Sequence, residues 1–215
     1  MYEALDEISE DCRKNAVFLK EDFEKGGLLH CGVCKTPKQC RIILNGMERI
    51  EYCMCDCQNR AYMQERKNFL DLQKREAVAR RKQICFRNDS ELYHSRFIMD
   101  DGTGDENIFK IFRNYALNFE TALKENHGLL IYGNVGSGKT FAAACIANQV
   151  IESGYSAYFT NFPEIKNALW NANDKQGFVR DICSYDLLVI DDFDTESDSR
   201  YTTEIVTNIF DTRSK

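Results

Sequence analysis

Apolar and polar positions follow three different rhythms along this chain of 215 residues. Near the start, Leu5, Ile8, Cys12, Ala16, Leu19 and Phe23 recur at helical spacing. That predicts an amphipathic helix, ended by Gly26-Gly27, whose stripe covers a small module or grips a partner helix. Residues 41–50 form two short strand-like runs around Asn45-Gly46, the strongest short hairpin signal. Residues 58–87 contain almost no breakers and read as one long helix. In the second half, short apolar runs at 129–132, 156–161 and 186–190 predict buried strands. Between them lie an alanine-rich helical stretch at 141–150 and a helix from Phe162 through Trp170, with Pro163 near its start. Strands alternating with helices imply a parallel sheet with helices on both faces.

The length allows one good core plus a smaller module. A hydrophobic fraction of 43% and a charged fraction of 29% suit a soluble globular protein. No run approaches eighteen apolar residues, so no membrane span is expected. The acidic N-terminus lacks a signal-peptide profile, which points to the cytoplasm. The formal charge of −6 is unevenly spread: residues 58–87 hold nine Lys and Arg against three Asp and Glu, or +6, leaving −12 elsewhere. That basic helix reads as a solvated connector, with a nucleic-acid or partner-binding arm as the alternative.

The chemistry is concentrated in two places. Gly133, Asn134, Val135, Gly136, Ser137, Gly138, Lys139 and Thr140 match G-x-x-x-x-G-K-[ST] between a predicted strand and a predicted helix. Glycines let the backbone curl so that successive N–H groups face phosphate oxygens, and the following helix aims its positive end at the same anion. Lys139 would reach the β- and γ-phosphates, and the Thr140 hydroxyl would ligate Mg²⁺. The pattern predicts binding of a nucleoside triphosphate. Further on, Asp186-Leu187-Leu188-Val189-Ile190-Asp191-Asp192 reads as a buried strand ending in two acids, a Walker B pattern. Asp191 would hold Mg²⁺ through water, and Asp192 would polarise the attacking water as general base. Asp194, Glu196 and Asp198 follow closely, so a strand running into an ordinary acidic loop is the alternative reading of this segment, and many enzymes of this kind carry Glu at the second position.

Ten cysteines are many for a chain of this kind. A reducing compartment argues against a disulfide framework, and the clustering points to metal. Cys31 and Cys34 form a C-x-x-C pair, and Cys53, Cys55 and Cys57 follow after about twenty residues, a spacing suited to a Cys₄ zinc site. The expected ligands are Cys31, Cys34, Cys55 and Cys57. Cys53 is the close alternative, and His30 or Cys40 could take part. A module of about sixty residues has little core, and zinc supplies the missing folding energy. Cys12, Cys85, Cys145 and Cys183 lie in apolar contexts and are assigned to the core.

The run from Gly128 through the P-loop to Phe141-Ala142-Ala143-Ala144-Cys145-Ile146-Ala147-Asn148 resembles DnaC-like helicase loaders of the AAA+ P-loop ATPases. Residues 186–192, Glu196, the helical stretch 203–213 and Arg96-Phe97 are similar to the same family. The cysteine-rich segment with Thr36-Pro37-Lys38-Gln39 resembles the zinc-bearing N-terminal region of some phage-type members. The resemblance implies an α/β P-loop NTPase (AAA+) fold preceded by a small helical, zinc-binding module. The implied domains are a helix and zinc module at 1–60, a basic linker helix at 61–92 and an AAA+ core at 93–215. It further implies an ATPase using ATP, Mg²⁺ and Zn²⁺, with Lys139, Asp191 and Asp192 as its catalytic residues. The implied partners are a hexameric DnaB-type replicative helicase, bound by the zinc module, single-stranded DNA and other AAA+ subunits. Phe97 and Ile98 are candidates for the adenine pocket by position. The chain departs from the family at Asp194, where glycine is usual. It also stops at Lys215, before the sensor strand, arginine finger and helical lid of such cores. The resemblance therefore implies weak nucleotide binding and poor hydrolysis, in a fragment or a chain that has lost full ATPase function. An IstB-like transposase ATP-binding subunit and a non-hydrolysing adaptor are the competing readings.

Overall fold

The computed structural model describes residues 18–44, 46–87, 89–100, 102, 105–192 and 200–213, and it divides into two units, Met1–Gln73 and Lys74–Lys215. In the first unit, β1 (Phe23–Lys25) pairs antiparallel with β2 (Leu28–His30) around Gly26 and Gly27. The helix expected up to Phe23 is not formed where the chain is described. Residues 18–22 are irregular, Phe23 opens a strand, and residues 1–17 lie outside the described residues. The reason is local. Gly26 and Gly27 both adopt positive φ, 63° and 72°, which reverses the chain within two residues instead of capping a helix. Phe23 then stacks on His30 across the turn, with ring centroids 5.6 Å apart.

β3 (Gln39–Leu44) and β4 (Met47–Tyr52) form the second hairpin, with Leu44 opposite Met47 and Gly46 at φ 75°. This is the hairpin expected at Asn45-Gly46. Next comes α1 (Asp56–Phe86), the unbroken helix read from 58–87. It is exposed through most of its length, and Lys82, Cys85 and Phe86 are its buried residues.

The second unit continues through α2 (Ser90–His94), α3 (Glu106–Leu117), α4 (Phe119–Lys124), α5 (Lys139–Glu152), β5 (Ala157–Asn161), α6 (Phe162–Asn171), α7 (Lys175–Cys183), β6 (Leu187–Asp191) and α8 (Arg200–Arg213). β5 and β6 pair in parallel, Ala157 opposite Leu187 and Asn161 opposite Asp191. Their side chains alternate between two cores. Ala157, Phe159, Leu187 and Val189 pack with Ala143, Ala144, Ala147 and Ile151 of α5 and the end of α1. Tyr158, Leu188 and Ile190 pack with Ile165, Leu169, Val179, Ile182, Ile205 and Ile209 of α6, α7 and α8. The result is a small parallel sheet with helices on both faces. A third cluster packs α3 and α4 on the remaining side of α5, through Ala116, Phe119, Ile146 and Val150. Cys85 and Cys145 are buried and Cys183 half-buried, as their apolar contexts implied, while Cys12 lies outside the described residues.

Residues 129–132 differ from expectation. They are not a strand, and no described strand pairs with them. Leu130 and Tyr132 are 86% and 88% exposed, whereas Ile131 packs against two of the cores. An apolar run becomes a buried strand only when a neighbour takes its backbone hydrogen bonds. Here Ile131 alone finds cover.

Two polar locks hold the sheet ends. The Asp186 carboxylate accepts from both the backbone N–H and the hydroxyl of Ser156 at 2.7 Å, joining the N-terminal ends of β5 and β6. Arg213, in the last turn of α8, donates to the carbonyls of Cys183, Tyr185 and Asp186 at 3.1, 2.7 and 2.9 Å. Arg213→Ala strips charged donors from three carbonyls. It is expected to lower the stability of the second unit by about 2 kcal/mol, read as a shifted urea midpoint. An unchanged midpoint would contradict this role.

Candidate functional site

Glycine geometry shapes the loop before α5. Gly136 and Gly138 sit at φ 77° and 81°, in the left-handed region that an L side chain resists. Gly138 is also the N-cap residue of α5 and offers no side-chain acceptor to the helix's first N–H groups. Those donors, together with the helix dipole, favour an anion at this end. The Lys139 ammonium donates to the carbonyls of Gly133 and Asn134 at 3.1 and 2.8 Å, which holds its charge over the loop. Ser137 N–H donates to the Asn134 carbonyl at 3.3 Å and tightens the turn. Val135 stands fully exposed at the tip, and Thr140 is exposed in the first turn of the helix.

Topology relates this loop to Asp191. α5 leads into β5, and β5 runs parallel to β6 while α5 packs on both strands. A helix preceding a strand it packs against runs antiparallel to it. The N-terminus of α5 therefore lies toward the C-terminal ends of β5 and β6, where Asn161 and Asp191 stand opposite each other. This is the crevice in which open α/β sheets bind ligands. Asp191 is half-buried as the last residue of β6, and exposed Asp192 follows at φ 45°, a left-handed conformation that Asp tolerates. Asp194, Glu196 and Asp198 lie outside the described residues. Of the two adenine-pocket candidates, Phe97 packs against the α3–α5 cluster and Ile98 is 90% exposed.

The first unit gathers sulfur. The Sγ atoms of Cys31, Cys34, Cys55 and Cys57 all lie within 4.8 Å of one another. Four thiolates about 2.3 Å from one zinc ion stand about 3.8 Å apart, so the set has the dimensions of a tetrahedral site. Cys31 Sγ is 3.6 Å from Cys57 Sγ, and Cys55 Sγ is 3.2 Å from it. The knuckle that carries the first pair is closed by Cys31 N–H donating to the Thr36 carbonyl, and by Lys35 N–H donating to the Cys31 carbonyl, both at 2.9 Å. The second pair stands where α1 begins, with Cys57 in its first turn. The other candidates do not join this set. Cys53 Sγ points at the Pro37 carbonyl 3.8 Å away, Cys40 lies opposite Glu51 in the hairpin, and His30 Nδ1 meets the Leu28 carbonyl at 2.9 Å.

The local field divides the four thiols. The Thr36 hydroxyl, then its backbone N–H, lowers Cys34 to about 5. The Cys34 N–H pulls Cys31 down as well. Cys57 is pushed up to about 12, first by Cys55 and then by Cys31. Knuckle donors stabilise a first thiolate, and crowding resists the later ones. A dication among them relieves that crowding.

Sequence reasoning passed over a buried ion pair beside the knuckle. Lys38 Nζ lies 2.5 Å from Asp22 Oδ2, and each side chain is only 4% exposed. The Leu19 N–H and then Lys38 hold the Asp22 carboxyl down at about 2. No pattern marks the pairing, because the two residues stand sixteen positions apart on either side of the β1–β2 hairpin.

One family model falls wholly within the second unit. Residues 114–211 match the family model Novel STAND NTPase 3. The replicative helicase loader DnaC of Escherichia coli K12 is 28% identical over 116 residues, 52% of this chain and 46% of that protein. The replicative helicase loader DnaI of Bacillus subtilis is 27% identical over 143 residues, 60% of this chain and 46% of that protein. An insertion-sequence ATP-binding protein of Pseudomonas fluorescens is 31% identical over 74 residues, 33% of this chain and 32% of that protein. The chain thus spans about half the length of the curated relatives it matches. No helix among the described residues is long and apolar enough to cross a membrane.

Proposed function

We propose that this chain, a DnaC-like member of the AAA+ P-loop ATPases, binds ATP and helps deliver a hexameric replicative helicase onto single-stranded DNA. The observation that carries this reading is the similarity to loaders of both the DnaC and DnaI kind over more than half of the chain. The geometry suits the nucleotide part. Gly133 to Thr140 would wrap the phosphates with backbone N–H groups, and Lys139 would turn its ammonium from the loop carbonyls to the β- and γ-oxygens. Thr140 and Asp191 would hold Mg²⁺, which supplies charge neutralisation on the phosphate oxygens. Asp192 would accept a proton from the attacking water. Cys31, Cys34, Cys55 and Cys57 would hold Zn²⁺ and so shape the module that meets the helicase.

Co-purification with a DnaB-type helicase from its host or phage, with zinc measured on the same sample, tests the reading. Helicase capture with about one zinc per chain is the expected result. Failure to bind any such helicase in the presence of ATP would overturn it. The similarity to an insertion-sequence ATP-binding protein favours a second reading, a transposase ATP-binding subunit. Capture of a transposase instead of a helicase would select it.

A further inference from the structure

No motif announces the pairing of Asp22 with Lys38, yet its contacts converge on the sulfur cluster. Asp22 Oδ1 accepts the backbone N–H of Gly32 at 2.9 Å, inside the Cys31–Cys34 knuckle. Asp22 Oδ2 accepts the Leu19 N–H at 2.8 Å and the Lys38 ammonium at 2.5 Å. Lys38 in turn joins the rest of the site through its backbone. Its N–H donates to Leu29 at 2.7 Å, ahead of the first thiol pair, and its carbonyl accepts from Cys53 at 2.8 Å, ahead of the second. Gly32 shows how closely the segment before β1 lies on the knuckle. A Cβ at that position would stand 2.3 Å from the Glu21 carbonyl oxygen, so only glycine fits.

Burying two opposite charges is expensive, and hydrophobic side chains in their place often stabilise a fold as well or better. This pair lies beside the four-thiol cluster with one oxygen on the ligand loop, where it is placed to act on that loop. We propose that Asp22, held by Lys38, is the positioning residue of the metal site: its Oδ1 on the Gly32 N–H sets the Cys31–Cys34 knuckle in ligating geometry. Neither residue touches the metal. The inference rests on the zinc reading of the four thiols.

The test uses the full chain and two charge-neutral double variants, D22N/K38M and D22A/K38M. Asn keeps an oxygen for the Gly32 N–H, whereas Ala removes it. Zinc release to a chelator and the Co²⁺ d–d spectrum are measured on each, with circular dichroism as the control for folding. D22A/K38M is expected to release metal about 10- to 100-fold faster, the usual size of an outer-sphere loss, with a weakened tetrahedral Co²⁺ band. D22N/K38M is expected to stay within about threefold of the parent. D22A/K38M indistinguishable from the parent would overturn the positioning role while leaving the zinc site standing. A parent chain that takes up neither zinc nor Co²⁺ would overturn the zinc reading, and this inference with it. Because D22A/K38M can fail to fold, D22L/K38M, which fills the Asp22 volume without an acceptor for the Gly32 N–H, is measured as well. Release accelerated about tenfold supports the proposal, and release at the parent rate overturns it.

Discussion

Chelating the zinc proposed for Cys31, Cys34, Cys55 and Cys57 is expected to unfold the first unit and leave the second folded. The buried residues explain the size of the effect. Among the described residues of the first unit, the buried apolar side chains are Cys31 and Cys55, two of the thiols themselves. The hairpins offer no substitute core, since Ile43 and Met47 are 79% and 58% exposed. Isolated two-stranded hairpins are marginal in water. Zinc coordination supplies on the order of 10 kcal/mol in small domains, enough to decide whether such a unit folds at all. The second unit has its own cores around α5, β5 and β6 and needs no metal. Amide resonances of β3 and β4 should collapse toward random-coil values when zinc is removed, and return on its addition. Hairpin resonances that stay dispersed without metal would show that the thiols are not the keystone of this unit.

Lys139→Ala is expected to weaken ATP binding by roughly a hundredfold. In the proposed complex the ammonium makes at least two charge-assisted hydrogen bonds to phosphate oxygens. Bonds of that kind contribute about 1.5–3 kcal/mol each, and about 3 kcal/mol in total corresponds to the hundredfold loss. The cost to folding is small by comparison. Lys139 sits in the first turn of α5 and donates to two carbonyls of an exposed loop, where water replaces it readily. Calorimetric titration with ATP should therefore lose affinity while the melting temperature stays nearly constant. Undiminished affinity would remove the lysine from the nucleotide site. A large fall in melting temperature would instead assign it a structural role.

Residues 23–30 and 129–132 show where reading by local pattern stops. Helical spacing through Leu19 and Phe23 predicts a helix, but spacing carries no information about the strand that competes for the same backbone. Gly26 and Gly27 are compatible with a helix stop and with a hairpin turn. Pairing of Phe23 with His30 selects the turn. At 129–132 the apolar run predicts burial, yet burial is a property of the neighbours, and Ile131 alone finds them. The thiols lie between these cases. Spacing names Cys31 and Cys34 and, with three sulfurs for two places, favours Cys55 and Cys57 over Cys53. Chain closure then brings Cys55 and Cys57 to the first pair and turns Cys53 toward Pro37.

What the sequence by itself determined is the chemistry written over a few consecutive residues. That includes the glycine and lysine pattern of 133–140, the Asn-Gly hairpin, the long helix of 58–87, and the alternation of strands and helices that makes a parallel sheet. In each, the interacting groups are near neighbours on one stretch of chain, so φ preference and periodicity suffice to decide the outcome. The tertiary structure alone decided the pairings across long separations: Asp22 with Lys38, Ser156 with Asp186, and Arg213 with the carbonyls before β6. These are single polar contacts without a repeating pattern. Their formation depends on cores that first bring distant segments together, and only then does burial make leaving them unpaired costly.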